Sequence, residues 1–356
     1  MSFFHFTIPF LVLLGILIFV HELGHFLVAK RLGIRVLKFS LGFGPTLLGT
    51  KRGDTEYVIS AIPLGGYVKL YGEDPEEELP AEETRASFSA RPVSHRLATV
   101  AAGPFMNFVL AAVVFTVLSL IGTPILQAVV GEVSADMPAA AAGLRKGDRV
   151  LAVDGAPVAS WEEMADAIAG SGGREISLRL ERDGGAITVP IVPIRRTSRN
   201  LLGESVDRPM IGIAPAGVVE VRRYPLWEAP WAGLKETGRW TWMTVEVLGK
   251  MVLGRVSPRN LGGPIAIAQM AGETAQAGLL SFLFLVAVLS VNLAVLNLLP
   301  IPILDGGHVL FFGIEALRGK PVSIRHREVA QQVGLVILLM LMAYVVYNDV
   351  ARLVTG

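Results

Sequence analysis

The sequence contains no cysteine and has few charged residues. Of its 356 residues 18% are charged, and there are only six histidines. The absence of cysteine excludes disulfides and thiolate metal sites, so a bound metal would need His, Asp or Glu ligands. Because soluble domains carry about 25% charged residues, this composition favours a membrane protein with a polar part attached. The net charge of +1 gives no sign of a nucleic-acid partner.

Four apolar stretches are long enough to cross a bilayer, which takes about 20 residues. The first lacks the basic start and the small-residue cleavage site of a secretory signal peptide, so we interpret it as a span. The sequence therefore predicts a multi-pass α-helical membrane protein with four transmembrane helices. They cover approximately residues 4–28, 97–121, 279–299 and 333–350.

Lysine and arginine are unevenly distributed between the segments that join these spans. They are frequent between the first two spans and in the link before the fourth, whereas the N-terminal tip has none. Cytoplasmic loops of membrane proteins carry an excess of basic residues. This bias places both basic links in the cytoplasm and both termini outside, together with the long segment between the second and third spans.

The long outer segment combines turn signals with short β-type runs. Asp154-Gly155 and Asp183-Gly184-Gly185 are typical of hairpin turns. Ser160 as an N-cap, with Glu163 three residues later, predicts a helix over residues 160–169. These patterns predict one small α+β domain. The connector after it contains four of the five tryptophans, as is typical of an amphipathic segment at a membrane surface.

The first span contains the sequence His21-Glu22-Leu23-Gly24-His25. Residues four apart share a helix face, so His21 and His25 can reach one metal ion while Glu22 lies beside a reacting water. Neutral imidazoles suit zinc. The alternative is a pair of buried histidines with satisfied hydrogen bonds. It is disfavoured in an apolar run, where each unpaired polar group costs several kcal/mol.

One acidic residue occurs in the stretch "VNLAVLNLLPIPILDGGHVL" that ends the third span. Two interpretations of this residue, Asp305, remain open: a third metal ligand, or the N-cap of a following helix. His308 lies in the same stretch, and we interpret it as a residue that orients or packs rather than as a ligand.

The motifs "HELGH" and "NLLPIPILDGG", in this order, resemble the site-2 protease family of intramembrane zinc metalloproteases. The order of parts is similar to the bacterial branch that contains the regulator of sigma-E protease. The resemblance implies one zinc ion per chain. Its ligands would be His21, His25 and Asp305, and Glu22 would be the general base.

The resemblance also implies residues that contact the substrate. Asn292 and Asn297 would hold the substrate backbone near the site. The stretch "AIPLGGYVKLYGE" resembles a membrane-associated β-loop beside the active site. It contributes the candidates Gly66, Tyr67 and Val68.

The stretch "AAGPFMNF" in the second span resembles a small-residue motif of the family, although this similarity is weaker. It contributes Asn107 as a substrate-binding candidate. Gly103 lies one helical turn before Asn107, and close helix packing explains this glycine equally well.

The patterns and the resemblance together imply four segments. They are a first membrane part (1–122), a PDZ-like domain (123–205), an amphipathic connector (206–275) and a second membrane part (276–356). Some members of the branch carry two PDZ domains in tandem, whereas this chain has room for one. The resemblance implies a bacterial inner-membrane protein with its PDZ-like domain on the periplasmic side. That domain would bind peptides or act as a steric gate.

The activity implied is hydrolysis of peptide bonds within transmembrane segments of single-span membrane proteins, such as anti-sigma factors or signal-peptide remnants. An unwound substrate could pair with an edge strand near residues 67–70. The alternative is a non-catalytic, membrane-anchored PDZ scaffold with a structural metal. Glu22 argues against it, because a structural site needs no glutamate between its ligands. A transporter is disfavoured, since no broken-helix pattern recurs in two halves.

Overall fold

The computed structural model describes residues 4–73, 80, 83–199, 205–257 and 262–355. These residues form two compact units. One comprises the described residues within Met1–Leu118, Trp227–Gly249 and Pro258–Gly356, and the other comprises those within Ser119–Leu226 and Lys250–Ser257. We refer to them as the helical unit and the β-rich unit.

Each stretch that the sequence predicts as a span is helical, except that α7 ends at Asn297, two residues before the predicted end. Within the described residues, α1, α2, α7 and α9 are long and apolar enough to cross a membrane. α9 begins well before residue 333, because helical hydrogen bonding continues through the charged segment "IRHREVAQQ". The helices are α1 (Phe4–Arg31), α2 (Val93–Ile121), α3 (Pro138–Ala141), α4 (Trp161–Gly170), α5 (Ala229–Val252), α6 (Pro264–Ala277), α7 (Leu279–Asn297), α8 (Asp305–Arg318) and α9 (Ile324–Thr355).

A buried cluster joins α2 to α7 in the helical unit. Small residues in it, such as Ala111 and Ala287, are fully buried and let the helices approach closely. Ser290 of α7 donates a hydrogen bond to the backbone carbonyl of Asn107 in α2 at 2.8 Å. The cluster consists of Ala111, Val114, Phe115, Leu118, Ala287, Val291 and Val295.

The first turn of α6 is capped by a carboxylate from another helix. Asp349 of α9, which is 3% exposed, accepts hydrogen bonds from the backbone N–H groups of Gly263, Ile265 and Ala266. N–H groups at a helix start lack partners within their own helix, and a negative charge there is stabilising. A Cβ at Gly263 would lie 2.4 Å from Asp349 Oδ2, so this contact requires glycine. The contact joins α6 to α9.

Two long strands, β1 (Val36–Arg52) and β2 (Thr55–Leu70), form a folded hairpin that follows α1. β2 bends so that both residues 56–59 and residues 66–70 pair with the start of β1, on opposite sides of it. Residues 66–70 therefore lie at an edge of this sheet. No other strand of the described chain pairs with them.

The β-rich unit has a four-stranded antiparallel sheet in the order β6-β5-β7-β8. α4 packs on it through Met164 and Ile168, which are buried with Leu178 and Leu180 of β7. The strands are β3 (Thr123–Leu126), β4 (Val130–Val133), β5 (Arg149–Val153), β6 (Ala156–Pro157), β7 (Ile176–Arg182), β8 (Gly185–Ile191), β9 (Ile194–Arg199), β10 (Ser205–Met210), β11 (Ile213–Pro215) and β12 (Val219–Arg222).

The local turn and cap predictions in this unit are confirmed. Asp183-Gly184 joins β7 to β8 with φ values of 50° and 78°, as a two-residue hairpin turn requires. Ser160 Oγ accepts the Glu163 N–H at 3.1 Å, so α4 begins as expected. The Glu163 carboxylate accepts from the N–H of Ala159, one residue before the N-cap.

The β-rich unit extends beyond the predicted domain boundary at residue 205. β10 pairs with β9, β11 with β4 and β12 with β3. Residues assigned to the start of the connector therefore belong to a compact unit. Local patterns did not indicate this extension, because β11 and β12 pair with strands that lie far earlier in the chain.

An ion pair in the β-rich unit joins the end of β7 to the residue before β5. Asp148, 2% exposed, accepts hydrogen bonds from Nε and a terminal nitrogen of Arg182 at 2.7 and 2.6 Å. Burial alone would raise the pKa of this carboxyl group. The Arg182 hydrogen bonds and the backbone N–H of Arg145 nevertheless hold the pKa of Asp148 below its usual value.

Candidate active site

The candidate site lies where α1 crosses α2. A Cβ at Gly24 of α1 would lie 2.3 Å from the carbonyl oxygen of Ala102 in α2, so α1 cannot carry a side chain at this point. Gly103, the next residue of α2, faces the imidazoles of both His21 and His25. The crossing therefore holds the α2 backbone directly against the two histidines.

Three potential ligand atoms meet beside this crossing. Nε2 of His21 lies 3.1 Å and Nε2 of His25 lies 3.5 Å from Oδ2 of Asp305. The two Nε2 atoms are 3.3 Å apart. Ligands placed tetrahedrally around zinc, at its usual bond lengths, lie about 3.3 Å from one another. Among the described residues this is the only group of three such side chains, and it fits a zinc ion.

Asp305 reaches the histidines because the chain reverses tightly between α7 and α8. A Cβ at Gly306 would lie 2.2 Å from the carbonyl oxygen of Leu299, and one at Gly307 would lie 2.4 Å from that of Ile301. The two glycines thus let the start of α8 pack on the preceding turn. Asp305 is the first residue of α8 and Leu304 is the N-cap, so the alternative that Asp305 caps this helix does not hold.

Each imidazole also contacts α2 through its other ring nitrogen, Nδ1. Nδ1 of His25 lies 2.9 Å from the carbonyl oxygen of Thr99. Nδ1 of His21 lies 3.2 Å from the side-chain amide of Asn107. Imidazoles that bind a metal through one nitrogen usually donate from the other. Sequence reasoning missed Thr99, because a backbone carbonyl carries no residue-type signal.

Glu22 lies beside the edge strand of the β1–β2 sheet. The backbone N–H of Val68 lies near the Glu22 carboxylate. A Cβ at Gly66 would lie 3.2 Å from Cγ of Glu22, so the strand passes close to this side chain. Gly66, Tyr67 and Val68 line a cavity of about 1050 Å³ together with Glu22 and the three potential ligands.

The cavity wall includes titratable residues that the motifs did not single out. Burial lowers the pKa of His308, which favours its neutral imidazole. Burial also raises the pKa of Glu73 above its usual value. Lys69 and Arg327 line the cavity as well. A polar, partly charged cavity can admit water to the group formed by His21, His25 and Asp305.

The two asparagines expected to hold substrate belong to α7 and are outside the cavity wall. Oδ1 of Asn292 accepts a hydrogen bond from the Thr244 hydroxyl of α5 at 2.7 Å. Asn297 is the last residue of α7. Neither is among the described residues that line the cavity. Their assignment to substrate binding stays a prediction.

A helix with two histidines and an intervening glutamate, joined by a carboxylate from a second helix, defines the metallopeptidase class of site. The sequence profile of Peptidase family M50 matches residues 9–341. The chain belongs to this family, which is the site-2 protease family. The resemblance seen in the motifs is therefore confirmed, and with it the prediction of an enzyme of the metallopeptidase class.

Relatives match nearly the whole chain. A protein of Rhizobium meliloti (strain 1021), provisionally named a zinc metalloprotease, is 41% identical over 360 residues, which cover 97% of this chain and 96% of the relative. The regulator of sigma-E protease RseP of Salmonella typhimurium (strain 14028s / SGSC 2262) is 32% identical over 445 residues, covering 97% and 98% of the two chains. That alignment is longer than this chain, so the relative contains residues that this chain lacks.

Solved PDZ domains resemble part of the chain. The PDZ domain of an SdrC-like protein from Listeria monocytogenes is 25% identical and covers 25% of this chain and 87% of its own, with a TM-score of 0.21. A similarity at this TM-score does not define a fold. The fold of the β-rich unit is defined by its strand pairing.

Proposed function

We propose that the protein is a zinc-dependent intramembrane endopeptidase that cleaves within the transmembrane segments of single-span membrane proteins. One observation carries the proposal. Nε2 of His21, Nε2 of His25 and Oδ2 of Asp305 lie within 3.1–3.5 Å of one another, and Glu22 follows the first of them on an apolar helix. The names of the relatives, which include zinc metalloproteases, support zinc as the metal.

The proposed topology has four spans in a bacterial inner membrane. The basic links would face the cytoplasm, and both termini and the β-rich unit would face the periplasm. His21 follows about 18 residues of α1, which at 1.5 Å per residue correspond to roughly 25 Å of a 30 Å hydrocarbon core. The site would therefore lie near the cytoplasmic side, in agreement with the polar residues of the cavity.

In the proposed hydrolysis, the metal and Glu22 have separate roles. When bound, zinc would polarise the scissile carbonyl and make water a better acid at neutral pH. A carboxylate oxygen of Glu22 takes a proton from the attacking water and passes it to the leaving amine nitrogen. This carboxylate lies at the cavity wall beside Gly66 and Val68 of the edge strand.

Substrate binding is proposed at the edge of the β1–β2 sheet. Peptide bonds in a transmembrane helix are hydrogen-bonded and shielded, so the helix must unwind before hydrolysis. An extended segment can then pair with residues 66–70 by adding a strand. The position of this edge beside Glu22 supports the idea. Anti-sigma factors and signal-peptide remnants are candidate single-span substrates.

The β-rich unit is proposed to select substrates, either by binding peptide or by excluding bulky outer domains. A groove of about 150 Å³ between α4 and the end of β10 favours peptide binding. Its wall combines apolar side chains with one cation, Arg208, and includes Trp161, Met164, Ile168, Met210 and Ile213.

A comparison of Glu22→Gln with wild-type protein tests the proposal. The amide keeps the shape of Glu22 but cannot accept a proton, so we expect zinc to remain bound and cleavage to fall by about 10²–10⁴-fold. The readout is accumulation of intact single-span fragments, measured by proteomics of membrane fractions. Glu175→Gln makes the same chemical change at an exposed position and should leave the fragment profile unchanged.

Cleavage that persists in the Glu22→Gln protein would reject Glu22 as the base. Tight zinc binding by a wild-type protein that cleaves no membrane protein would favour the alternative, a membrane-anchored scaffold with a structural metal.

A further inference from the structure

A fully buried amide contacts one of the proposed zinc ligands. Asn107 is 0% exposed, and its side-chain nitrogen lies 3.2 Å from Nδ1 of His21. Its other polar atom, Oδ1, has no hydrogen-bond partner among the residues that the structure describes. Buried acceptors are nearly always paired, so an isolated one indicates either the opposite orientation of the amide or a specific role.

The chemistry of a metal-bound histidine decides between the two amide orientations. Nε2 is the His21 atom that faces Asp305 and His25. A neutral imidazole that binds metal through Nε2 carries its proton on Nδ1 and donates it to an outer partner. The oxygen atom and the NH2 group of an asparagine amide are nearly the same size, and a 180° rotation about χ2 exchanges their positions. With the oxygen toward His21, Asn107 accepts the Nδ1–H.

We propose that Asn107 is a positioning residue that acts through His21. Its amide oxygen accepts the Nδ1–H of His21 and thereby holds the ring in the tautomer and orientation that bind zinc through Nε2. The inference rests on the zinc site of the proposed function. It gives Asn107 a different role from the substrate contact that the family resemblance implies.

The placement of Asn107 on α2 supports this role. Thr99, Gly103 and Asn107 are spaced by four residues and share one face of the helix. The carbonyl of Thr99 contacts Nδ1 of His25, and Gly103 leaves space for both rings. The hydrogen bond from Ser290 of α7 to the Asn107 carbonyl anchors this turn of α2. One helix face thus orients both imidazoles.

Zinc affinity of the purified full-length chain in detergent tests the proposal, measured by competition with a chromophoric chelator. Asn107→Leu keeps a similar volume but has no acceptor, so we expect zinc binding to weaken about 10–100-fold. Asn107→Asp keeps an acceptor and should retain most of the affinity. If leucine disrupts the packing of α2, the smaller Asn107→Ala variant tests the same loss of the acceptor. Val114→Ala changes a buried residue of the same helix within the α2–α7 cluster, and should bind zinc like wild type.

Cobalt substitution provides a second readout that does not depend on proteolysis. The visible absorption of bound Co²⁺ reports ligand geometry, and we expect it to change in Asn107→Leu but not in Val114→Ala.

An unchanged zinc affinity and cobalt spectrum in Asn107→Leu, with a raised KM, would overturn the proposal in favour of substrate contact. An equal loss of zinc affinity in the Leu and Asp variants would show that Asn107 contributes only to packing. Failure of the wild-type chain to bind zinc would instead remove the proposed function.

Discussion

The backbone of Gly103 lies directly against the imidazole of His25, so that a Cβ at residue 103 would be 2.2 Å from Nε2 of His25. Nε2 is the atom that faces Asp305. Any side chain at this position would therefore occupy space that the ligand ring needs. The contact joins the packing of α1 on α2 to the geometry of the proposed zinc site.

We expect Gly103→Ala to lose zinc and activity together. The added methyl group must displace the His25 ring or separate the helices, and overpacking of this kind costs about 1–3 kcal/mol. Metal analysis of the purified protein measures the zinc content. Gly238→Ala is the matched control, since a Cβ at Gly238 of α5 has no neighbour within 4 Å. It should keep its zinc and gain about 0.5–1 kcal/mol of helix stability.

Asp305→Ala should also lose tight zinc binding, for a different reason. Two imidazoles alone leave the site without the carboxylate that completes it, whereas the packing of α1 on α2 is unaffected. We expect loss of both bound zinc and cleavage, measured by metal analysis and by turnover of a single-span substrate. Asp136→Ala, at an exposed position of the β-rich unit, is the control. Full zinc occupancy in Asp305→Ala would show that another residue is the third ligand.

Removal of most of the β-rich unit should leave catalysis intact and relax substrate selection. Leu126 and Val219 are paired at the end of the β3–β12 ladder, so Asn-Gly in place of residues 127–218 would close a short hairpin. The measurement compares cleavage of one substrate carrying either a short or a bulky outer tail. We expect the short-tailed form to be cleaved as before and the bulky form to become a substrate. Loss of both cleavages in a protein that still binds zinc would reject a selective role.

The Asp148–Arg182 pair should make the stability of the β-rich unit depend on acid pH. The folded pKa of Asp148 lies below the unfolded value of about 3.9. The pair therefore contributes its full stability above that pH, and the contribution is lost as the pH falls through the folded pKa. Asp148→Ala should destabilise the unit at neutral pH, since it removes the carboxylate that accepts hydrogen bonds from Arg182 and from the Arg145 N–H. Hydrogen exchange of β7 amides measures both effects, and equal protection in variant and wild type at pH 7 would contradict the prediction.

Several features were predictable because they depend on neighbours a few residues away. The "HELGH" spacing places two histidines on one face of α1, and apolar length indicates the four long helices. The Asp-Gly turn between β7 and β8 and the Ser160 cap of α4 follow from local backbone preferences. In each case the interacting groups are neighbours along the chain, so their residue types carry the information.

Other features depend on segments that are distant in sequence. Asp305 reaches His21 only because two glycines let α8 pack on the preceding turn. Asn107 meets His21 only because α1 and α2 cross at Gly24.

The amino-acid sequence by itself determined the residue types of the site, the apolar helices that carry them and the local turns. The tertiary structure alone decided which groups surround the imidazoles, which stretch of β2 forms the edge beside Glu22, and how far the β-rich unit extends. The reason is physical: helix crossings and strand ladders are stabilised by close packing and hydrogen bonds between remote segments, and no short stretch of chain encodes its distant partner.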